Sequence, residues 1–71
     1  MKFEILETVI LKDSTGHFWR IGDETVVSLS DCTVIGGEIQ DLSAREIVIK
    51  NYYIDQPIRI KLNEIQQIDE Y

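Results

Sequence analysis

From Thr25 onward, apolar residues recur at every second position in short runs separated by turn-forming residues. A period of two is what a half-buried strand imposes, because successive side chains point to opposite faces of a sheet, and a helix cannot satisfy it. The runs cover residues 25–29 (TVVSL), 33–42 (TVIGGEIQDL), 45–50 (REIVIK) and 58–62 (IRIKL). Their composition agrees with their period: twelve isoleucines and five valines among 71 residues favour a pleated surface over a helix. With five leucines they make 22 aliphatic residues, too many for a disordered chain, while no wholly apolar run exceeds three residues, far short of a membrane span. The expectation is an all-β fold, a small, strongly bent barrel of five to six strands formed by residues 25–71.

The connections refine this reading. Ser30-Asp31-Cys32 is a tight turn, with Cys32 expected as a small buried thiol at the step into the next strand. Gly36-Gly37 lies inside the longest run, where paired glycines suit a sharp bend that closes the barrel. Leu62, Ile65 and Ile68 are spaced by three, which predicts a one-turn helix near residues 63–66, capped by Asn63 with Gln66 reaching back, before a closing strand at 66–70.

The first 24 residues form an N-terminal extension of the same single domain. Phe3, Leu6 and Ile10 with Ile5 and Val9 fit a helical face, whereas Phe3, Ile5, Val9 and Leu11 fit one bulged strand. The β-branched run Thr8-Val9-Ile10 favours the strand. Asp13-Ser14-Thr15-Gly16 is then a turn with Gly16 at positive φ. A strand at 17–21 follows, with Trp19 and Ile21 facing the core, and stops at Gly22-Asp23; the extension is a hairpin or a short helix.

The succession Val27-x-Leu29-x-Asp31, Ile35-x-Gly37-x-Ile39-x-Asp41, Ile47-Val48-Ile49 and Ile60-Lys61-Leu62-x-x-Ile65-x-x-Ile68 resembles the Sm-like barrel over residues 25–71. The resemblance implies a bent five-stranded sheet that assembles into rings and, in that family, an RNA pocket. That pocket uses an aspartate-to-asparagine loop after the long strand and an arginine-glycine pair in the fourth strand. Here the loop reads Leu42-Ser43-Ala44-Arg45 and the pair reads Lys61-Leu62. Lysine keeps the charge without the planar guanidinium, and leucine blocks the backbone approach that glycine allows.

A formal charge of −6 and a pI near 4.5 repel polyphosphate at long range and disfavour nucleic-acid or anionic-membrane binding. The exception is local: residues 45–61 carry +2 while the rest carries −8. If Ile47, Ile49, Ile58, Ile60 and Leu62 face inward, Glu46, Val48, Lys50, Arg59 and Lys61 face outward. The register placing Glu46 opposite Lys61 and Val48 opposite Arg59 avoids the repulsion of Lys50 against Arg59.

The candidate partner surface is therefore Lys50, Tyr52, Tyr53, Arg59 and Lys61, with an outward Phe18 beside Trp19. The alternative is that one tyrosine covers the barrel end, the other is exposed, and the cations are simply solvated. His17 and Cys32 are the only soft ligands, too few for a zinc site, and nothing in the sequence pairs them as thiolate and base. Adjacent carboxylates such as Asp23-Glu24 and Asp69-Glu70 point to opposite faces of a strand, and no glycine-flanked nucleophile or phosphate loop is present. The expectation is a cytoplasmic binding or assembly module without catalytic residues, cofactor or metal. Its expected partners are copies of itself or another protein, with Sm-like RNA binding through Lys50, Arg59, Lys61, Tyr52 and Tyr53 as the alternative.

Overall fold

The computed structural model describes residues 3–7, 10–54 and 56–71. It is all-β. Strands β1 (Glu4–Glu7), β2 (Ile10–Lys12) and β3 (Phe18–Arg20) form one sheet in that order. Strands β4 (Glu24–Leu29), β5 (Val34–Leu42), β6 (Glu46–Asn51), β7 (Pro57–Lys61) and β8 (Ile65–Glu70) form a second, antiparallel sheet in the order β7-β6-β5-β4-β8. A 3₁₀ turn, Leu62–Glu64, joins its two edge strands.

Alternation translates directly into burial. Val27, Ile35, Ile39, Leu42, Ile47, Ile49, Ile60, Ile65 and Ile68 join Leu62 in one buried cluster, and Leu11 and Trp19 of the N-terminal sheet complete it. Phe3, Leu29 and Ile58 pack against its margin. Each such side chain contributes about 1.5–3 kcal/mol when fully withdrawn from water, so this cluster is the dominant stabilising term.

The glycine pair in β5 has a steric role that the sequence alone does not disclose. A Cβ on Gly37 would lie 2.2 Å from the Lys50 carbonyl oxygen and 2.5 Å from Ile49 Cγ2, so β6 approaches β5 through space only glycine leaves open. At Gly36 the Tyr71 ring takes the corresponding space, 3.0 Å from where a Cβ would sit. The register shift in β5 lies past the pair, between Ile39 and Asp41.

Three turns explain where the chain reverses. Gly16 N–H donates to the Asp13 carbonyl at 3.1 Å with φ +88, as expected of the 13–16 turn. Cys32 N–H donates to the Leu29 carbonyl and Leu29 N–H to the Thr33 carbonyl, with Cys32 at φ +72; this is a tight turn followed by a left-handed residue, the position glycine normally takes. Cys32 is therefore exposed at the turn, not buried as expected. Between β3 and β4, Asp23 N–H donates to the Arg20 carbonyl and Gly22 has φ +99, which puts Ile21 at the outer corner of the turn. Ile21 is accordingly 44% exposed rather than facing the core, while Trp19 is buried as expected.

Other expectations are also corrected. The N-terminal stretch is not one bulged strand through residue 11: β1 and β2 pair with each other, Ile5 opposite Leu11, with a register shift between Ile5 and Glu7. Residues 8 and 9 lie outside the described residues. The extension is thus a three-stranded sheet, neither a two-stranded hairpin nor a helix. The helical turn begins one residue earlier than expected, and Lys61, without a side-chain cap bond, stands where Asn63 was expected to cap.

A buried carboxylate locks the β2–β3 turn. Asp13 Oδ1 accepts from Thr15 N–H at 2.9 Å, Thr15 Oγ1 at 2.6 Å and His17 N–H at 3.1 Å, and Oδ2 accepts from the Trp19 indole at 2.9 Å. Burial alone pushes the Asp13 pKa up, but the bonds from Thr15, Trp19 and His17 together outweigh it and hold the carboxyl below its ordinary value.

Replacing Gly37 with alanine is expected to cost about 3 kcal/mol or more, most of the roughly 3 to 5 kcal/mol available to a domain of this size, read as a collapsed urea or thermal midpoint. Asp13→Asn, which turns an amide against the indole donor, is expected to cost about 1–3 kcal/mol at neutral pH. Because the folded-state pKa is depressed, the ionic stabilisation is complete above 3.8 and is lost as pH falls through the lower folded value. The gap between wild type and Asp13→Asn in denaturant titrations should therefore narrow at acid pH; a constant gap contradicts the assignment.

Candidate functional site

The β6–β7 hairpin has the register expected from charge: Glu46 lies opposite Lys61 and Val48 opposite Arg59. Glu46 bonds the diagonal cation rather than the opposite one, with Arg59 Nη1 2.7 Å from Glu46 Oε1. Arg59 is 74% exposed and Glu46 33%, so solvent screens the pair and it contributes about 0–1 kcal/mol. Both residues alternate with the buried Ile47 and Ile60, which places them on the outer face of the sheet.

The sequence-derived surface is distributed along this hairpin and beyond it. Lys50 is opposite Pro57 at the loop end, whereas Lys61 is opposite Glu46 at the far end. Four strand steps separate the two ends, about 13 Å at 3.3 Å per residue. Tyr52 and Tyr53 follow Lys50 in a loop organised by Asn51, whose Oδ1 accepts from Tyr53 and Ile54 N–H at 2.8 and 3.2 Å and whose Nδ2 donates to the Gly36 carbonyl at 3.2 Å. The tyrosines then diverge. Tyr52 meets Tyr71 edge to face at 4.8 Å, while Tyr53 is 83% exposed. Burial first, then the neighbouring Glu24, Glu38 and Tyr71, push the Tyr52 hydroxyl pKa up, so the phenol stays neutral.

At the opposite end, Lys61 belongs to a cleft of about 910 Å³ with Ser43, Ala44, Arg45, Glu46 and Asn63. Leu62 N–H donates to the Arg45 carbonyl at 2.8 Å, which brings the turn after β5 against the end of β7. The Ser43 hydroxyl and amide both donate to the Glu46 carbonyl, and Ser43 Oγ accepts from Glu46 N–H, making that turn compact. The two stretches singled out by the Sm-like resemblance, residues 42–45 and 61–62, are therefore neighbours.

Phe18 stands apart from all of these, half-exposed on β3. It borders a cleft that the sequence reading missed, because the residues facing it come from β3, the start of β4 and the end of β8, and no local pattern joins them. Tyr71 and the Asn51 contact with Gly36 were missed for the same reason: Tyr52 and Gly36 lie more than ten positions from their partners. His17 lies against Trp19 with ring centroids 4.2 Å apart, and Cys32 sits in the exposed β4–β5 turn. Among the described residues no group of three or more His, Cys, Asp or Glu side chains is placed to hold a metal ion, and no helix is long and apolar enough to cross a membrane.

Compared with protein-family models, curated proteins and solved structures, the chain matches none.

Proposed function

We propose that this chain is a non-enzymatic assembly module with an Sm-like small barrel, whose copies join head to tail through their free sheet edges. Supporting the barrel is the single core: residues of both edge strands, Ile60 of β7 and Ile65 and Ile68 of β8, enter the same buried cluster as the central strands, which a flat sheet would keep apart. The 3₁₀ turn between β7 and β8 brings the ends of the sheet round. Among the described residues β7 and β8 each pair on one side only, and such edges invite a neighbour.

The observation that carries assembly is the opposite charge of these edges. β7 has Arg59 and Lys61 exposed, whereas β8 has Asp69 and Glu70. Asp69 is paired with Val26 on the outer face, the face that also bears Arg59 and Lys61. A β7 strand laid beside a neighbour's β8 with continuous faces therefore sets cations against a carboxylate, while β7 on β7 or β8 on β8 sets like charges together. Such a heterologous contact generates a ring when it closes and a filament when it does not.

RNA binding is the second reading, favoured by the meeting of Arg45 and Lys61 at the 910 Å³ cleft. The same cleft contains Glu46, and Lys50, Tyr52 and Tyr53 lie at the other end of the hairpin.

Light scattering is expected to show an oligomer at tens of micromolar. Arg59→Glu with Lys61→Glu, and separately Gln67→Lys with Asp69→Lys, should each give monomers, and mixing the two variants should restore association at equal stoichiometry. A monomeric wild type, or charge-reversed variants that assemble unchanged, rejects the reading. For the second reading, fluorescence anisotropy of short single-stranded oligonucleotides at low salt should rise with protein and lose that rise on substitution of Lys61 and Tyr53. A flat anisotropy eliminates RNA binding.

A further inference from the structure

Two clefts, of about 600 and 410 Å³, lie between β3 and β8 and have His17, Trp19 and Glu70 in common. The first is lined by residues 17–20 in unbroken succession and the second by residues 67–70. Successive side chains of a strand point to opposite faces, so a cleft over one face would meet only alternate residues. These clefts therefore run along strand edges, as one slot. β3 ends one sheet and β8 ends the other, and among the described residues each pairs on one side only. Asp13 N–H donates to the His17 carbonyl, and antiparallel bonding engages alternate residues, so Phe18 and Arg20 turn their N–H and C=O away from β2. Asp23 occupies those of Arg20: its amide donates to the Arg20 carbonyl and its Oδ2 accepts from Arg20 N–H at 2.8 Å. Those of Phe18 stay open. On β8, Tyr71 N–H donates to the Glu24 carbonyl, which by the same alternation leaves Ile68 and Glu70 with N–H and C=O turned away from β4. Both walls thus offer main-chain donors and acceptors, which is what an added strand requires.

We propose that an extended segment of a partner protein enters this slot as an added strand, its apolar residues alternating with lysine or arginine. Its inward side chains meet Trp19 and Ile68, both part of the buried core. Its outward ones meet Phe18 and Asp69, which alternate with those two residues, so a cation there has a carboxylate beside it and an aromatic ring for its stem. A free segment has both edges to offer and pairs with both walls, whereas β7 of a second copy, already bonded to β6, pairs with one. Since β8 also serves the proposed assembly, an added strand and a neighbouring copy compete for it.

The test titrates the peptide acetyl-Thr-Val-Lys-Val-Lys-Val-Thr-amide into the Arg59→Glu, Lys61→Glu protein, which removes the competing β7 contact and leaves the slot unaltered. Saturable shifts of the Phe18, Ile68 and Glu70 amide resonances are expected, with a Kd of about 0.1 mM. The same peptide N-methylated at its central valine keeps its charge and loses a main-chain donor, and should bind about tenfold more weakly. Glu70→Pro removes an amide that faces the slot and none that faces β4, and should weaken binding by about the same factor. Glu70→Gln should change it less than about threefold, which separates a strand edge from the general pull of an acidic protein. Replacing both peptide lysines with glutamate should cost about threefold or more. Equal affinity for the N-methylated or the glutamate peptide, unchanged binding by Glu70→Pro, or shifts that stay linear to about 2 mM overturns the proposal.

Discussion

The close approach of β6 to β5 at Gly37 is the constraint on which the larger sheet depends. β5 is its central and longest strand, hydrogen-bonded to β4 on one side and β6 on the other. Ile39 and Ile49, paired across that contact, are both fully buried. Gly37 stands beside them with the Lys50 carbonyl where a side chain would be. The Asn51 amide reaches the Gly36 carbonyl from the same strand, so the absence of two side chains lets β6 dock its backbone and anchor the following loop. That loop carries Tyr52 and Tyr53, and the Tyr71 ring rests on the other glycine. One steric allowance thereby sets both the approach of β6 to β5 and the seat of the Tyr71 ring.

What could be read in the sequence was what depends on nearest neighbours in the chain. A period of two specifies which face each isoleucine takes, and in a sheet with one buried face a slip of one residue would expose them all. For that reason the register of β6 with β7 followed from charge and periodicity together. Ile21 escaped the same logic because it no longer belongs to the strand: the turn closed by Arg20 and Asp23 takes it out of the alternation. The N-terminal stretch was ambiguous because β1 and β2 are four and three residues long, too short for either period to dominate. Cys32 was misplaced because a left-handed turn position ordinarily declares itself by glycine.

The candidate sites were less legible than the fold for a related reason. The cations of the β6–β7 hairpin are close in sequence and could be grouped from composition, yet strand geometry spreads them along its length. The aromatic and acidic cleft, by contrast, joins positions from Phe18 to Tyr71. Periodicity says which way a side chain points but not which distant strand it will face. Only the strand order, which sets β8 against β4 and brings Trp19 of the first sheet into the core of the second, makes those residues neighbours.

Charge placement ties the proposed assembly to the fold. A protein with a net charge of −6 would remain dispersed if its charge were spread evenly. Here the positive excess is confined to the hairpin that ends in β7, and negative residues collect on β8 and around the start of β4. The outer face of β8 carries Asp69, opposite Val26, while Glu70 lies opposite the buried Thr25 on the other face. Adjacent acidic residues in a strand are poor partners for acid–base chemistry because they point apart. That same divergence lets one short strand offer negative charge to two different surfaces at once.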